Sequence, residues 1–207
     1  MEQEEVFFAE EGYYHLRHLT NEQAPLFKID GNYMFFLQRL KKFTEPVVDL
    51  YAYCLLPQHF HLVVHVHDRE TVFNYFLEQY PEASMADFSV HSIVMAQLNQ
   101  VLEQYTQAYN RMFKREGVLF TSPPTLEHLT TPDAVCEAIQ YVHFNPVQHG
   151  AADAPRDWKN SSFNDIVREN RTFKAGDQVL ALFGNKDTFI ESHQQPPQAQ
   201  FLNRLTY

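Results

Sequence analysis

Two short stretches hold residues whose types and spacing could do chemistry together: His59-Phe60-His61 and Tyr141-Val142-His143-Phe144-Asn145-Pro146. Side chains alternate across a β-strand, so His59 and His61 share one face. Two imidazoles projecting in parallel from one strand can bind a single divalent cation. Phe60 points the other way, with Leu62, Val64 and Val66, and reads as core. The triplet is short. His65 and His67 fall on the same face as the pair, so a half-exposed, histidine-rich strand is the favoured reading of this stretch alone.

Tyr141 and Asn145 are four residues apart, which stacks them on one face of a helix. A tyrosine hydroxyl can attack phosphorus and leave a covalent phosphotyrosine. An amide oxygen beside it can complete a metal shell or hold the phosphate. A cation between strand and helix would polarise the scissile phosphate and offset transition-state charge. The plain alternative is packing: the chain has eleven tyrosines, and Asn before Pro is an ordinary helix end. Tyr105 and Tyr109, at helical spacing on another segment, read as core.

The elements that must position these residues follow from periodicity. Tyr13 to Leu19 reads as a first strand. From Ile29 to Phe43, Tyr33, Phe36, Leu37 and Leu40 recur at threes and fours, with Asp30 as the expected cap. Val47 to Leu56 and Phe60 to Val66 are β-rich runs joined across Pro57-Gln58, a hairpin pattern. Asp68 to His91 reads as a short helix and a loop. Ser92 to Phe113 is a long amphipathic helix, with Gly117 as its stop. Leu126 to Leu129 is a candidate fourth strand. Thr131-Pro132-Asp133 opens another helix, expected to end near Asn145 because Pro146 disfavours the α region before it. The order points to an α+β fold: an antiparallel sheet with helices on one face.

Composition bounds the answer. The 207 residues suit one domain with a substantial core. The net charge is -10 and the pI about 5.5, unusual for a nucleic-acid partner. Yet a basic strip can sit on an acidic body. Acids crowd the start, at Glu2, Glu4, Glu5, Glu10 and Glu11. Arg39, Lys41 and Lys42, then Arg111, Lys114 and Arg115, form basic clusters expected on solvated helix faces. Cys54 and Cys136 are expected to be reduced and buried. There is no secretory pattern and no apolar run of membrane-spanning length, so the cytoplasm is the expected address.

The run Leu55-Leu56-Pro57-Gln58-His59-Phe60-His61-Leu62-Val63-Val64 resembles the histidine strand of single-tyrosine HUH transposases. The similarity is greatest to REP-associated tyrosine transposases, where a Leu-Pro or Met-Pro step precedes that strand. Tyr105-Thr106-Gln107-Ala108-Tyr109-Asn110-Arg111, followed by Gly117-Val118-Leu119-Phe120, resembles the family's central helix and the turn after it. Tyr141 to Gly150 resembles its Tyr-x-x-x-Asn-Pro-Val helix end. Asp157-Trp158 with Ser161-Ser162-Phe163 resembles the segment beyond.

The resemblance covers about Tyr13 to Phe163. It implies a ferredoxin-like antiparallel sheet over 1–165 and a partly flexible C-terminal extension over 166–207. It further implies Mg²⁺ or Mn²⁺ held by His59, His61 and Asn145, with Tyr141 as nucleophile. The implied reaction is nicking and strand transfer of hairpin-containing single-stranded DNA through a 5′-phosphotyrosine, by a monomer or homodimer. A domesticated relative that holds such DNA without cutting it is the alternative. One departure bears on both. Where the family carries arginine after Leu-Phe, this chain has Thr121-Ser122-Pro123-Pro124, and fewer cations weaken phosphate binding.

Overall fold

The computed structural model describes residues 6–19, 25–120, 122–168 and 173–197. The acidic residues Glu2, Glu4 and Glu5 lie outside the described residues, as do Thr121 and the far part of the C-terminal extension, from residue 198 onward. The sheet strands are β1 (Tyr13–Leu19), β2 (Val48–Leu56), β3 (His59–Val66) and β4 (Thr125–Leu129). The helices are α1 (Asp30–Thr44), α2 (Arg69–Gln79), α3 (Val90–Phe113), α4 (Pro132–Gln148), α5 (Phe163–Val167), α6 (Gly176–Leu182) and α7 (Lys186–Ser192).

The strand order is β2-β3-β1-β4, with every neighbouring pair antiparallel. Read through β1, α1, β2, β3, α3 and β4, this is the split β-α-β arrangement of a ferredoxin-like sheet. The two residues Pro57 and Gln58 close the β2–β3 hairpin, which sets Leu56 opposite His59 and Cys54 opposite His61. That register sends every second β3 residue into each layer. Phe60, Leu62 and Val64 join Phe36 and Leu40 of α1 and Val94, Val101 and Tyr105 of α3 in one core. Val63 joins Ala52, Cys54 and Leu56 of β2 in a second core, covered by Val135, Ala138, Ile139 and Val142 of α4. The antiparallel α+β sheet is therefore as expected, but helices cover both faces. The histidine face is roofed by α4, with Val179 of α6 and Phe189 of α7 packed behind it.

Local differences from the sequence reading have local causes. Asp30 does not cap α1: it is the first helical residue. The Asn32 Oδ1 folds back instead to accept from the Lys28 and Ile29 amides. Helix α3 starts two residues before Ser92, capped by Ser89, and stops at Lys114 in the left-handed region, φ 51°. Gly117, at φ 85°, serves the turn beyond. Cys136 is half-buried, not enclosed like Cys54, and both thiols are free.

The correction that matters most is at α4. It does not end near Asn145. It runs through Pro146 to Gln148. The penalty of a proline on its predecessor is a preference, and here burial of Phe144, Asn145 and Pro146 outweighs it. The end is a Schellman turn: Ala151 donates to the Pro146 carbonyl at 2.8 Å and Gly150 to that of Val147 at 3.0 Å, with Gly150 at φ 66°. Asn145 thus sits inside a helix and not at a fraying end.

Candidate active site

The structure brings all four sequence-derived residues to one place. The face of β3 that carries His59 and His61 meets the face of α4 that carries Tyr141 and Asn145. The His59 Nε2 donates to the Asn145 Oδ1 at 2.8 Å. The Tyr141 ring stands edge-on to the His61 ring at 5.4 Å between centroids. The two imidazoles lie 5.2 Å apart and nearly perpendicular, at 88°. Helical stacking of Tyr141 over Asn145 and strand alternation of His59 and His61 are therefore both realised, and they interlock.

The rival histidines are engaged elsewhere. His65 stacks on Tyr13 at 4.3 Å and pairs with Glu11 at 3.6 Å. His67 pairs with Asp49 at 3.5 Å, which raises its pKa. The rival tyrosines are structural: the hydroxyls of Tyr105 and Tyr109 donate to the Leu26 and Pro25 carbonyls.

The site is closed. Tyr141 is 3% exposed, His61 2% and Asn145 1%. Burial pulls the His59 pKa down, and that of His61 well down, because a charged imidazole loses its hydration there. Both rings are thus neutral near pH 7, the form that ligates a metal. Burial raises the Tyr141 pKa, while the Arg17 guanidinium and a hydrogen bond with Asn145 draw it down. Two environments oppose each other at the hydroxyl that would have to lose its proton.

The donor set fits a divalent cation. Two ligands at right angles on bonds of about 2.1 Å stand about 3.0 Å apart. The 2.8 Å between His59 Nε2 and Asn145 Oδ1 is close to that spacing, although the contact is now a hydrogen bond and the His59 proton would have to sit on Nδ1 for Nε2 to ligate. The Asn145 Oδ1, turned toward His59, is the amide atom that would face a cation. Neutral imidazole nitrogens and an amide oxygen suit Mg²⁺ or, better, Mn²⁺.

Sequence reasoning missed the β1 and β4 contributions. His15, Arg17 and Glu127 share the histidine face, since Arg17 lies opposite His61 and Glu127 opposite His15. The alternation of His15 and Arg17 was visible, but without the register no signal tied either to His61. His149, one residue past α4, packs its ring 4.8 Å from that of His59.

Fold and site together define a ferredoxin-like domain with a histidine strand roofed by a tyrosine helix. The same fold is found in the solved structure of a REP-associated tyrosine transposase bound to a REP hairpin, with a TM-score of 0.60 at 16% identity, over 81% of this chain and 87% of that one. No family model and no curated protein matches the sequence. Among the described residues, no helix is long and apolar enough to cross a membrane.

Proposed function

We propose that this chain nicks and rejoins single-stranded DNA, with Tyr141 as nucleophile and His59, His61 and Asn145 as the ligands of Mg²⁺ or Mn²⁺. The observation that supports it best is the contact between α4 and β3. One helix face carries a tyrosine and an amide, one strand face carries two neutral imidazoles, and the amide and one imidazole stand close to metal-ligand spacing. The solved transposase of the same fold holds a REP hairpin, which points to structured single-stranded DNA as the substrate class.

The Tyr141 oxygen attacks the scissile phosphorus. The Tyr141 proton is lost, the bond from phosphorus to the 3′-oxygen breaks, and that oxygen takes up a proton as a free 3′-hydroxyl. The 5′-phosphate stays on Tyr141, and a later attack by a 3′-hydroxyl reverses the step. A bound cation supplies Lewis-acid polarisation of the phosphate. His59 and His61 stay neutral and oriented by the rigid strand. Asn145 holds its oxygen beside Tyr141 because both lie on α4. Arg17, across from His61, adds positive charge where the phosphate would lie.

The burial of Tyr141 requires α4 to shift from the sheet, or the strand to enter at its edge, before attack. That closure favours one other reading: a module that holds single-stranded DNA hairpins and does not cut them. Labelled hairpin DNA incubated with the protein and Mn²⁺ decides between them. A covalent protein–DNA adduct that disappears in Tyr141→Phe is the expected result. Binding with no adduct at all selects the holding module, and an adduct that persists in Tyr141→Phe places the nucleophile elsewhere.

A further inference from the structure

Glu127 of β4 lies opposite His15 of β1, and His15 reaches diagonally to His61 of β3, whose directly opposite residue is Arg17. The His15 Nε2 lies 2.9 Å from the His61 Nδ1, and the two rings are parallel to within 3°. On its other side, the His15 Nδ1 faces the Glu127 Oε2 at 3.7 Å. That carboxylate oxygen is buried and has no hydrogen-bond partner. Both rings are 2% exposed, so charge on either is disfavoured.

The charge on Glu127 sets the proton of His15: at 3.7 Å the pair is electrostatic and not a hydrogen bond, and an N–H turned toward the carboxylate is favoured over a lone pair turned toward it. A neutral imidazole has a single N–H, which leaves the His15 Nε2 bare. The His61 Nδ1 must then donate to it, and the His61 Nε2 keeps its lone pair. A metal ligand needs that lone pair, and ligating histidines are held in this way by a partner on their other nitrogen.

We infer that Glu127 and His15 are positioning residues that fix the tautomer of His61 with Nε2 free for a divalent cation. Neither touches the cation or the substrate. Glu127 sets His15, and His15 sets His61. The order of strands in the sheet makes this possible, because β1 lies between β3 and β4 and carries His15 in register with Glu127. The role of His61 as ligand rests on the function proposed above, but the proton arrangement does not.

The test reads the two separately. In the full chain, labelled with ¹⁵N and free of metal, long-range ¹H–¹⁵N spectra report which ring nitrogen of each histidine carries hydrogen. His61 is expected protonated at Nδ1, and His15 likewise. In His15→Phe, His61 is expected to become a mixture of tautomers, and Mn²⁺ affinity measured by electron paramagnetic resonance to fall about 10–100-fold. His15→Gln offers an amide oxygen as acceptor and should restore most of that loss. Glu127→Ala, at a half-exposed position, moves the His15 proton without touching the core, and is expected to give the same mixture.

A wild-type His61 protonated at Nε2 overturns the inference. So does an unchanged His61 tautomer in both His15→Phe and Glu127→Ala, or an equal affinity loss in His15→Phe and His15→Gln. Absence of Mn²⁺ binding by the wild type, with the tautomers as assigned, supports the proton arrangement and overturns the metal reading of the preceding section.

Discussion

The Asn145 Oδ1 lies 2.8 Å from the His59 Nε2, so one hydrogen bond ties the helix that carries Tyr141 to the strand that carries both imidazoles. Both partners are buried, His59 at 7% and Asn145 at 1% exposure. Asn145→Ala is therefore expected to leave a buried donor on His59 unsatisfied, at a cost of about 1–3 kcal/mol. It should also remove one cation ligand. Chemical denaturation in the presence of a chelator measures the first effect, and Mn²⁺ titration the second. A variant as stable as the wild type and unchanged in Mn²⁺ affinity would contradict both roles.

Tyr141→Phe separates chemistry from packing. The ring contributes its edge to His61 and His15, at 5.4 Å and 5.8 Å between centroids, and phenylalanine keeps that contact. The loss is one hydroxyl and its hydrogen bond with Asn145, about 1 kcal/mol of stability. Covalent adduct formation with hairpin DNA is expected to vanish while the midpoint of urea denaturation falls by only about 0.3–0.5 M. Retention of the adduct would remove Tyr141 from the reaction.

Acid should unfold this protein through its histidines. His143 and His193 share a buried hydrogen bond of 2.9 Å, and His143 also bonds the Ser162 hydroxyl at 2.8 Å. Burial lowers the His193 pKa to about 4, and lowers that of His143 well below the usual imidazole range. The unfolded chain takes up protons from about pH 6.5 downward, where the folded chain does not. Stability is thus whole above about pH 6.5 and falls as pH drops toward 4, by about 3 kcal/mol for His193 alone. His15, His59 and His61 are lowered as well and act in the same sense. His67, held up by Asp49, acts in the opposite one. Urea denaturation of metal-free protein at pH 7.5, 6 and 5 should show this decline, and a flat profile would refute it.

A cation that binds only the folded state must raise its stability. With Mn²⁺ at about a hundred times its dissociation constant, the gain is about 2.7 kcal/mol. His61→Ala and Asn145→Ala should lose most of it. The check is the thermal midpoint with and without Mn²⁺. An equal upward shift in wild type and both variants would mean that the ion binds elsewhere.

The placement of the four candidate residues was legible because local rules pair them and the order of the motifs picked them out. Alternation along β3 puts His59 and His61 together, and the four-residue step puts Tyr141 over Asn145. What the sequence could not show was register. His15 and Glu127 sit on strands that read only as apolar-leaning runs, and their places beside His61 depend on β1 lying between β3 and β4. The second helical layer was hidden for a similar reason. Ala52, Cys54 and Leu56 look like ordinary inward residues, and nothing local says that α4 covers them. The run of α4 through Pro146 was missed because a local penalty was set against burial that only the folded chain supplies.

That last turn of α4 gives a further prediction, from two glycines constrained in different ways. Gly150 sits at φ 66°, and a methyl group there would meet nothing within 4 Å. Its constraint is backbone conformation alone, so Gly150→Ala is expected to cost about 1–2 kcal/mol. Gly150→Asn should cost less, since asparagine tolerates this region. Gly12 has an ordinary φ, but a methyl group would stand 2.7 Å from the Tyr14 ring. There Ala and Asn should both be costly, with Asn the worse. The consequences differ in place as well. Strain at Gly150 loosens the turn that seats His149 against His59, so hydrogen exchange should quicken at Gln148 to Ala151 in Gly150→Ala while β1 stays protected. In Gly12→Ala the faster exchange should appear around Tyr14 and leave the end of α4 unchanged. Matching costs for Ala and Asn at Gly150 would mean that the extra turn does not depend on a left-handed residue.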